Sequence, residues 1–258
     1  MTWYRELGIK RPLFQGGMAW ASNAELVAAV SNNGALGIIG SGGRTANELR
    51  RMIRKTKTLT SQPFGVNLML LDKNIKQLLE VICEEKISVV TTGAGSPKEI
   101  IDTIIGNNIK LFPVVPNKEI ALKMFKLPIS GIIVEGNEAG GHVGSQNLAS
   151  LLKEIAPICP LPLIAAGGIY DHHTASLANI LGANGVQVGT AFLLAKECQI
   201  SPIYQELICK SEENGTSLIS DKNGHLTRLL NISSQHSSNK SLKAAVETGD
   251  LINGAFMA

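Results

Sequence analysis

Short apolar runs alternate with longer amphipathic stretches along most of the chain. The run at 13–15 precedes a helical pattern over 23–32, and 36–39 precedes 45–57. The series continues with 64–68 before 75–85, 88–92 before 97–106, and 111–115 before 118–125. Next, 131–135 leads through a glycine-rich loop to 148–156, 163–166 leads to 172–181, and 185–189 closes the series. The runs are apolar on both faces, as strands must be when helices cover them. The longer stretches repeat at 3.6 residues: Leu26, Val27 and Val30 share one side, as do Leu78, Leu79 and Ile82. Thr45, Ser96 and Asp171 stand where helices need a capping oxygen. Eight such cycles predict an α/β fold, a closed (β/α)8 TIM barrel. An open doubly wound sheet would want a nucleotide fingerprint. The nearest segment, 93–98, reads GAGSPK and lacks the third glycine.

Composition adjusts this picture little. A chain of 258 residues, 44% hydrophobic and 17% charged, can bury a large core without staples. Aromatics are only 4% while glycines number 26, which suits a buried parallel sheet with tight turns. The net charge of +3 is spread out. The densest basic cluster, Arg50-Arg51-Met52-Ile53-Arg54-Lys55, has apolar breaks and no aromatic neighbours, so it reads as a solvated helix face rather than a nucleic-acid surface. Cys83, Cys159, Cys198 and Cys209 show neither a disulfide framework nor zinc spacing, and no metal is expected. The charged N-terminal stretch is unlike a signal peptide, and no apolar run is long enough for a membrane span. The expectation is a cytoplasmic protein with reduced thiols.

In a barrel, function gathers at the C-terminal ends of the strands. Here those ends read Gln15-Gly16-Gly17-Met18, Gly40-Ser41-Gly42-Gly43, Asn67, Thr92-Gly93, 113–116, Glu135, Gly167-Gly168 and Gly189-Thr190. Glycine plus one small polar residue at nearly every end lets main chain approach a flat or anionic ligand closely. The last two ends fit a phosphate site, with tight turns as the alternative. Asn67 and Gln187 carry amides suited to a heterocycle edge such as a flavin pyrimidine, or else are buried amides satisfied by backbone. His142 sits alone among Gly140, Gly141 and Gly144, with Glu135 and Glu138 upstream. On spacing alone it is either a proton-transfer group or a structural histidine. His172 and His173 are adjacent at a helix start and read as surface residues.

Eight segments taken in order make a family resemblance: PLFQGGMAWAS, GALGIIGSGG, PFGVNLMLL, VVTTGAG, PVVP, VEGNEAGGHVG, PLIAAGGI and GVQVGTAFL. They resemble the flavin-dependent enoyl-[acyl-carrier-protein] reductase II group, with the nitronate monooxygenases (2-nitropropane dioxygenases) as close relatives. The likeness runs over about residues 7–198. It implies an FMN-binding TIM barrel over 1–198 and a shortened C-terminal lid or tail over 199–258. It implies flavin contacts from Gly17, Met18, Asn67, Glu135, Gly140, Gly167, Gly168, Gln187, Val188, Gly189 and Thr190, with His142 as the catalytic histidine. GGMAW and the glutamate before the GNEAGGH segment resemble the reductase branch, whereas monooxygenases more often read APM and carry glutamine there.

The activity so implied is reduction of 2-enoyl thioesters. NAD(P)H gives hydride to FMN, and flavin N5 passes it to the substrate β-carbon while His142 gives a proton to the α-carbon or orients the thioester. An acyl carrier protein as partner in fatty acid biosynthesis, and a homodimer, follow from the same likeness. The alternatives are a nitronate monooxygenase-type flavin oxidase and a non-catalytic flavin-binding member. The polar stretch 231–240 reads as a loop or linker, and 249–258 resembles a family segment that normally runs on into a further helix.

Overall fold

The computed structural model describes residues 3–212, 214–220, 226–232, 241–250 and Met257. Eight parallel strands form one sheet: β1 (Leu13–Gln15), β2 (Gly37–Gly40), β3 (Phe64–Met69), β4 (Val89–Gly93), β5 (Lys110–Val115), β6 (Ile132–Glu135), β8 (Leu163–Ala166) and β9 (Gly185–Val188). Their spatial order is β1-β9-β8-β6-β5-β4-β3-β2, and a parallel bridge from Phe14 to Leu36 joins the two ends into a cylinder. This is the predicted TIM barrel. The helices around it are α1 (Ala24–Asn32), α2 (Ala46–Leu59), α3 (Ile75–Glu84), α4 (Ile101–Gly106), α5 (Lys118–Met124), α6 (Leu148–Ile155), α7 (His172–Ile180) and the short α8 (Thr190–Leu193).

Capping chemistry sets several helix starts. Thr45 and Glu48 form a reciprocal capping box on α2, and Asp171 with Thr174 does the same on α7. Ser96 departs from expectation: it makes no capping hydrogen bond, and Pro97 opens a 3-10 turn, Pro97–Glu99, before α4 begins at Ile101. Four of the basic residues of α2, Arg50, Arg54, Lys55 and Lys57, are paired with carboxylates. Arg50 meets Glu84 at 2.6 Å, while Arg54 and Lys57 meet the buried Glu85 at 2.8 and 3.0 Å.

Two cores result from the strand alternation. Outward side chains such as Val66, Leu68, Val90, Ile132, Val134 and Leu163 pack under the helices. Inward ones, Phe14, Ile38, Val89, Phe112, Ile133 and Ile164, fill the cylinder. Phe14 and Phe112 meet edge to face, with ring centroids 5.4 Å apart, and Trp3 closes the lower end against both. Gly131 makes room for this cluster: a Cβ there would stand 2.5 Å from the Phe112 ring.

The seam between β1 and β2 has an unusual rung. Leu36 N–H donates to Leu13 O, and Gln15 N–H donates to Leu36 O, each at 2.9 Å. The main chain then leaves the strand at Gly16, and the Gln15 side chain continues the ladder. Its Oε1 accepts from Ile38 N–H at 3.2 Å, and its Nε2 donates to Ile38 O at 3.4 Å. The side-chain amide thus stands in for the next peptide group.

Beyond the barrel lie α9 (Pro202–Cys209), a hairpin of β10 (Thr216–Ser220) and β11 (Leu226–Leu230), and α10 (Leu242–Thr248). The hairpin pairs antiparallel with β7 (Gly141–Val143), making a separate three-stranded sheet. Of the polar stretch expected as a linker, 233–240 lies outside the described residues, as do 251–256 of the last segment. Among the described residues no helix is long and apolar enough to cross a membrane.

Candidate active site

Strand alternation places the site's floor. Two residues beyond the inward Val89 and Ile133 come Thr91 and Glu135; two beyond the inward-facing glycines 65 and 185 come Asn67 and Gln187. These four share the interior at the C-terminal end. Thr91 Oγ1 donates to Asn67 Oδ1 at 2.9 Å, which fixes the amide with its Nδ2 as the remaining donor. Ser41 Oγ donates to Asn67 O at 2.6 Å. Thr91 was not singled out from the sequence; its register opposite Asn67 across β3 and β4 is the signal that finds it.

Glu135 is half-buried by surface, but its carboxyl lies deep within protein atoms. Burial without a compensating cation pushes it up to about 7, so near neutral pH it is partly a neutral hydrogen-bond donor.

Above this floor the first turn, 16–22, is tightly tied. Met18 N–H donates to Gly16 O and to Ser22 Oγ, each at 2.8 Å, and Ser22 Oγ donates to Gly16 O at 3.1 Å. Gly17 lies so close to β3 that a Cβ would stand 2.3 Å from the Asn67 Cβ. Met18 follows it and faces Gly189 across the mouth, where a Cβ would find only the Met18 Sδ, at 3.9 Å. At Gly93 a Cβ would meet nothing within 4 Å. The rim is therefore crowded where main chain approaches the floor and open across the mouth. Trp20, at a φ of 64°, is stacked between Arg44 and Lys243, at 4.7 and 4.6 Å, which ties α10 to this turn.

Gly167 and Gly168 both adopt positive φ, 107° and 65°. Among the described residues the Gly168 and Ile169 N–H groups have no backbone acceptor, and Thr190 N–H opens α8. Successive free amides of this kind make an anion-binding concavity. Val188 contributes differently: its side chain packs outward against the helix layer, so only its main chain can face a ligand, and its carbonyl accepts from Gly16 N–H at 2.9 Å.

The glycine-rich segment after β6 is not a simple loop. Gly141, His142 and Val143 form β7, with His142 opposite Thr227 of β11 and its side chain exposed. That expectation fails for a physical reason: the triplet has no strand-like alternation, and its order comes from a partner strand far along the chain. Glu138 is structural here, since its carboxylate accepts from Leu148 N–H at 2.9 Å at the start of α6. Gly140 is exposed on the same segment. His172 and His173 sit at the α7 start with rings 3.7 Å apart, on the outer helix layer.

The residues fit a flavin nucleotide. Two amides and a carboxyl offer the donor and acceptor pattern of a fused heterocycle, Gly17 leaves room for main chain close to Asn67, and the paired glycine turns offer amides that could bind a phosphate. A family model described as nitronate monooxygenase matches residues 3–78 and 73–248. A structure of FabK from Thermotoga maritima superposes with a TM-score of 0.93 at 37% identity, over 98% of this chain and 86% of that one. A probable nitronate monooxygenase of Staphylococcus haemolyticus is 30% identical over 281 residues, 89% of this chain and 79% of its own. From Rhodococcus jostii, (3aS,4S,5R,7aS)-5-hydroxy-7a-methyl-1-oxo-octahydro-1H-indene-4-carboxyl-CoA dehydrogenase is 32% identical, over 90% of this chain and 67% of its own.

Proposed function

This chain belongs to the nitronate monooxygenase family of flavin-dependent oxidoreductases, and from that premise we propose that it is an FMN-dependent reductase of 2-enoyl thioesters. Bound FMN would supply the redox chemistry, taking hydride from NAD(P)H and delivering it to the β-carbon of the thioester. Asn67 and Gln187 would hold the heterocycle, with main chain at Gly17 and Met18 beside it, and Gly140 would let the β7 segment pass close by. Gly167, Gly168, Gly189, Thr190 and the Val188 main chain would take the phosphate. His142 gives the α-carbon its proton, which completes addition of hydride and proton across the double bond.

What speaks for the reductase reading is Glu135, a glutamate where the monooxygenases that this chain resembles more often carry glutamine. Its buried carboxyl can donate a hydrogen bond from the neutral form and withdraw it on ionisation. The likeness to FabK supports the same reading, and a relative named for a CoA ester supports a thioester substrate. An acyl carrier protein would present that thioester.

The nitronate monooxygenase reading has its own support in the family model and the staphylococcal relatives. One experiment separates the two. Purified protein is mixed anaerobically with NADPH while the flavin absorbance is followed, and crotonyl thioester is then added. Bleaching followed by recovery of the yellow band is the reductase result. Absence of bleaching, together with oxygen uptake on a nitroalkane, overturns it in favour of the oxidase.

A further inference from the structure

We propose that Arg228, on the hairpin beyond the barrel, is a positioning residue for His142. The proposal rests on the reading of His142 as the proton donor. The segment 137–146 leaves the end of β6 and returns to α6, carrying β7 between. Its neck is closed by one residue. Asn137 N–H donates to Gln146 O at 2.8 Å, and its side-chain Nδ2 donates to Ser145 O at 3.0 Å. The Asn137 carbonyl is then held from outside by the Arg228 guanidinium: Nε donates at 2.9 Å and Nη2 at 2.7 Å. Arg228 Nη1 donates to Thr216 Oγ1 at 2.7 Å, which fixes the fork against β10.

The same strand also pairs with β7 itself. Arg228 lies opposite Gly141, Thr227 opposite His142, and Leu226 opposite Val143. β11 therefore grips the segment at two places, its neck and its crown, with His142 on the crown. Glu138 anchors the inner side by capping α6, and the positive φ of Gly141, 78°, sets the bend leading into the strand. A planar fork with several directed donors suits this task, since it can hold one carbonyl twice while bonding a second partner. A lysine ammonium has no such rigid geometry. Arg228 is half-buried, and among the described residues its side-chain hydrogen bonds go to Asn137 O and Thr216 Oγ1, so it acts through the neck.

The test uses flavin-loaded protein: wild type, R228A, R228K, H142A and the double variant R228A/H142A. R228A is expected to keep its flavin content and its rate of bleaching by NADPH, while kcat for crotonyl thioester falls at least tenfold. Amide hydrogen exchange at 141–143 is expected to rise by at least tenfold in the same protein. R228K should fall between wild type and R228A on both measures, and it decides the question if R228A does not fold. The distinguishing result is non-additivity: R228A/H142A should turn over no more slowly than H142A. Additive losses, or unchanged exchange at 141–143, would overturn the proposal. Wild-type turnover in H142A would instead sink the role given to the histidine and the positioning proposal with it, while the exchange data would still show whether the clamp exists.

Discussion

Glu135→Gln is the substitution whose effect can be worked furthest. Glutamine keeps the shape of the side chain and never ionises. In the folded protein burial holds the glutamate up to about 7, against an ordinary value of 4.5. Below the ordinary value both folded and unfolded chains carry the proton, and the two proteins differ only by their neutral groups. As pH rises from there to about 7, the unfolded chain ionises and the folded one does not. The folded state then binds more protons, so stability falls with rising pH, and the loss is complete above the folded pKa. At about 1.4 kcal/mol for each tenfold step, the full loss is roughly 3 kcal/mol, and water reaching the mouth trims it to about 2. Urea unfolding of wild type and Glu135→Gln, both stripped of cofactor, should show the variant gaining about 1–2 kcal/mol on wild type between pH 5 and pH 8. A constant offset at the two pH values would refute the argument that the carboxyl is held neutral by burial.

Other substitutions probe the rim. His142→Ala should keep its flavin spectrum yet lose about 10²-fold in thioester turnover, the lower end for a general acid, measured by stopped flow under saturating NADPH. Gly17→Ala puts a Cβ 2.3 Å from Asn67 Cβ; overpacking of about 1–3 kcal/mol should weaken FMN retention by about tenfold or more, read by fluorescence titration. Gly168→Ala forces an L side chain to a φ of 65° and should cost about 1–2 kcal/mol in thermal unfolding of the stripped protein. Thr45→Ala removes one arm of the α2 capping box and should cost about 1 kcal/mol, with no change in flavin affinity.

The barrel was legible because each strand is apolar on both faces and each helix shows a clear stripe. Strand ends could then be assigned, and Asn67, Glu135 and Gln187 face inward at the C-terminal end of the cylinder. What escaped were features made by pairing between distant segments. β7 exists because β11 lies beside it, and nothing in Gly141-His142-Val143 announces a strand. Thr91 looked like one of two threonines in a strand; only its register shows that it faces inward while Thr92 packs the other way. Arg228 sits in a segment read as a tail, and its partner is a carbonyl, which leaves no mark on sequence. Ser96 shows the opposite error: a residue of the right type in the right place, displaced as a cap by the proline-led turn after it.

At Gln15 a side chain fastens the end of the seam between the first two strands. Two main-chain bonds through Leu36 hold the rest of the seam, so changing Gln15 would open its last rung and leave the others. Glutamate would lack the donor for Ile38 O, and asparagine would be too short to span the gap. The same amide donates to Ser22 Oγ at 2.8 Å, the hydroxyl that gathers the turn ahead of α1. Loosening that rung would therefore slacken the barrel wall and the turn over 16–22 together, so the end of the seam and the shape of the mouth share one clasp.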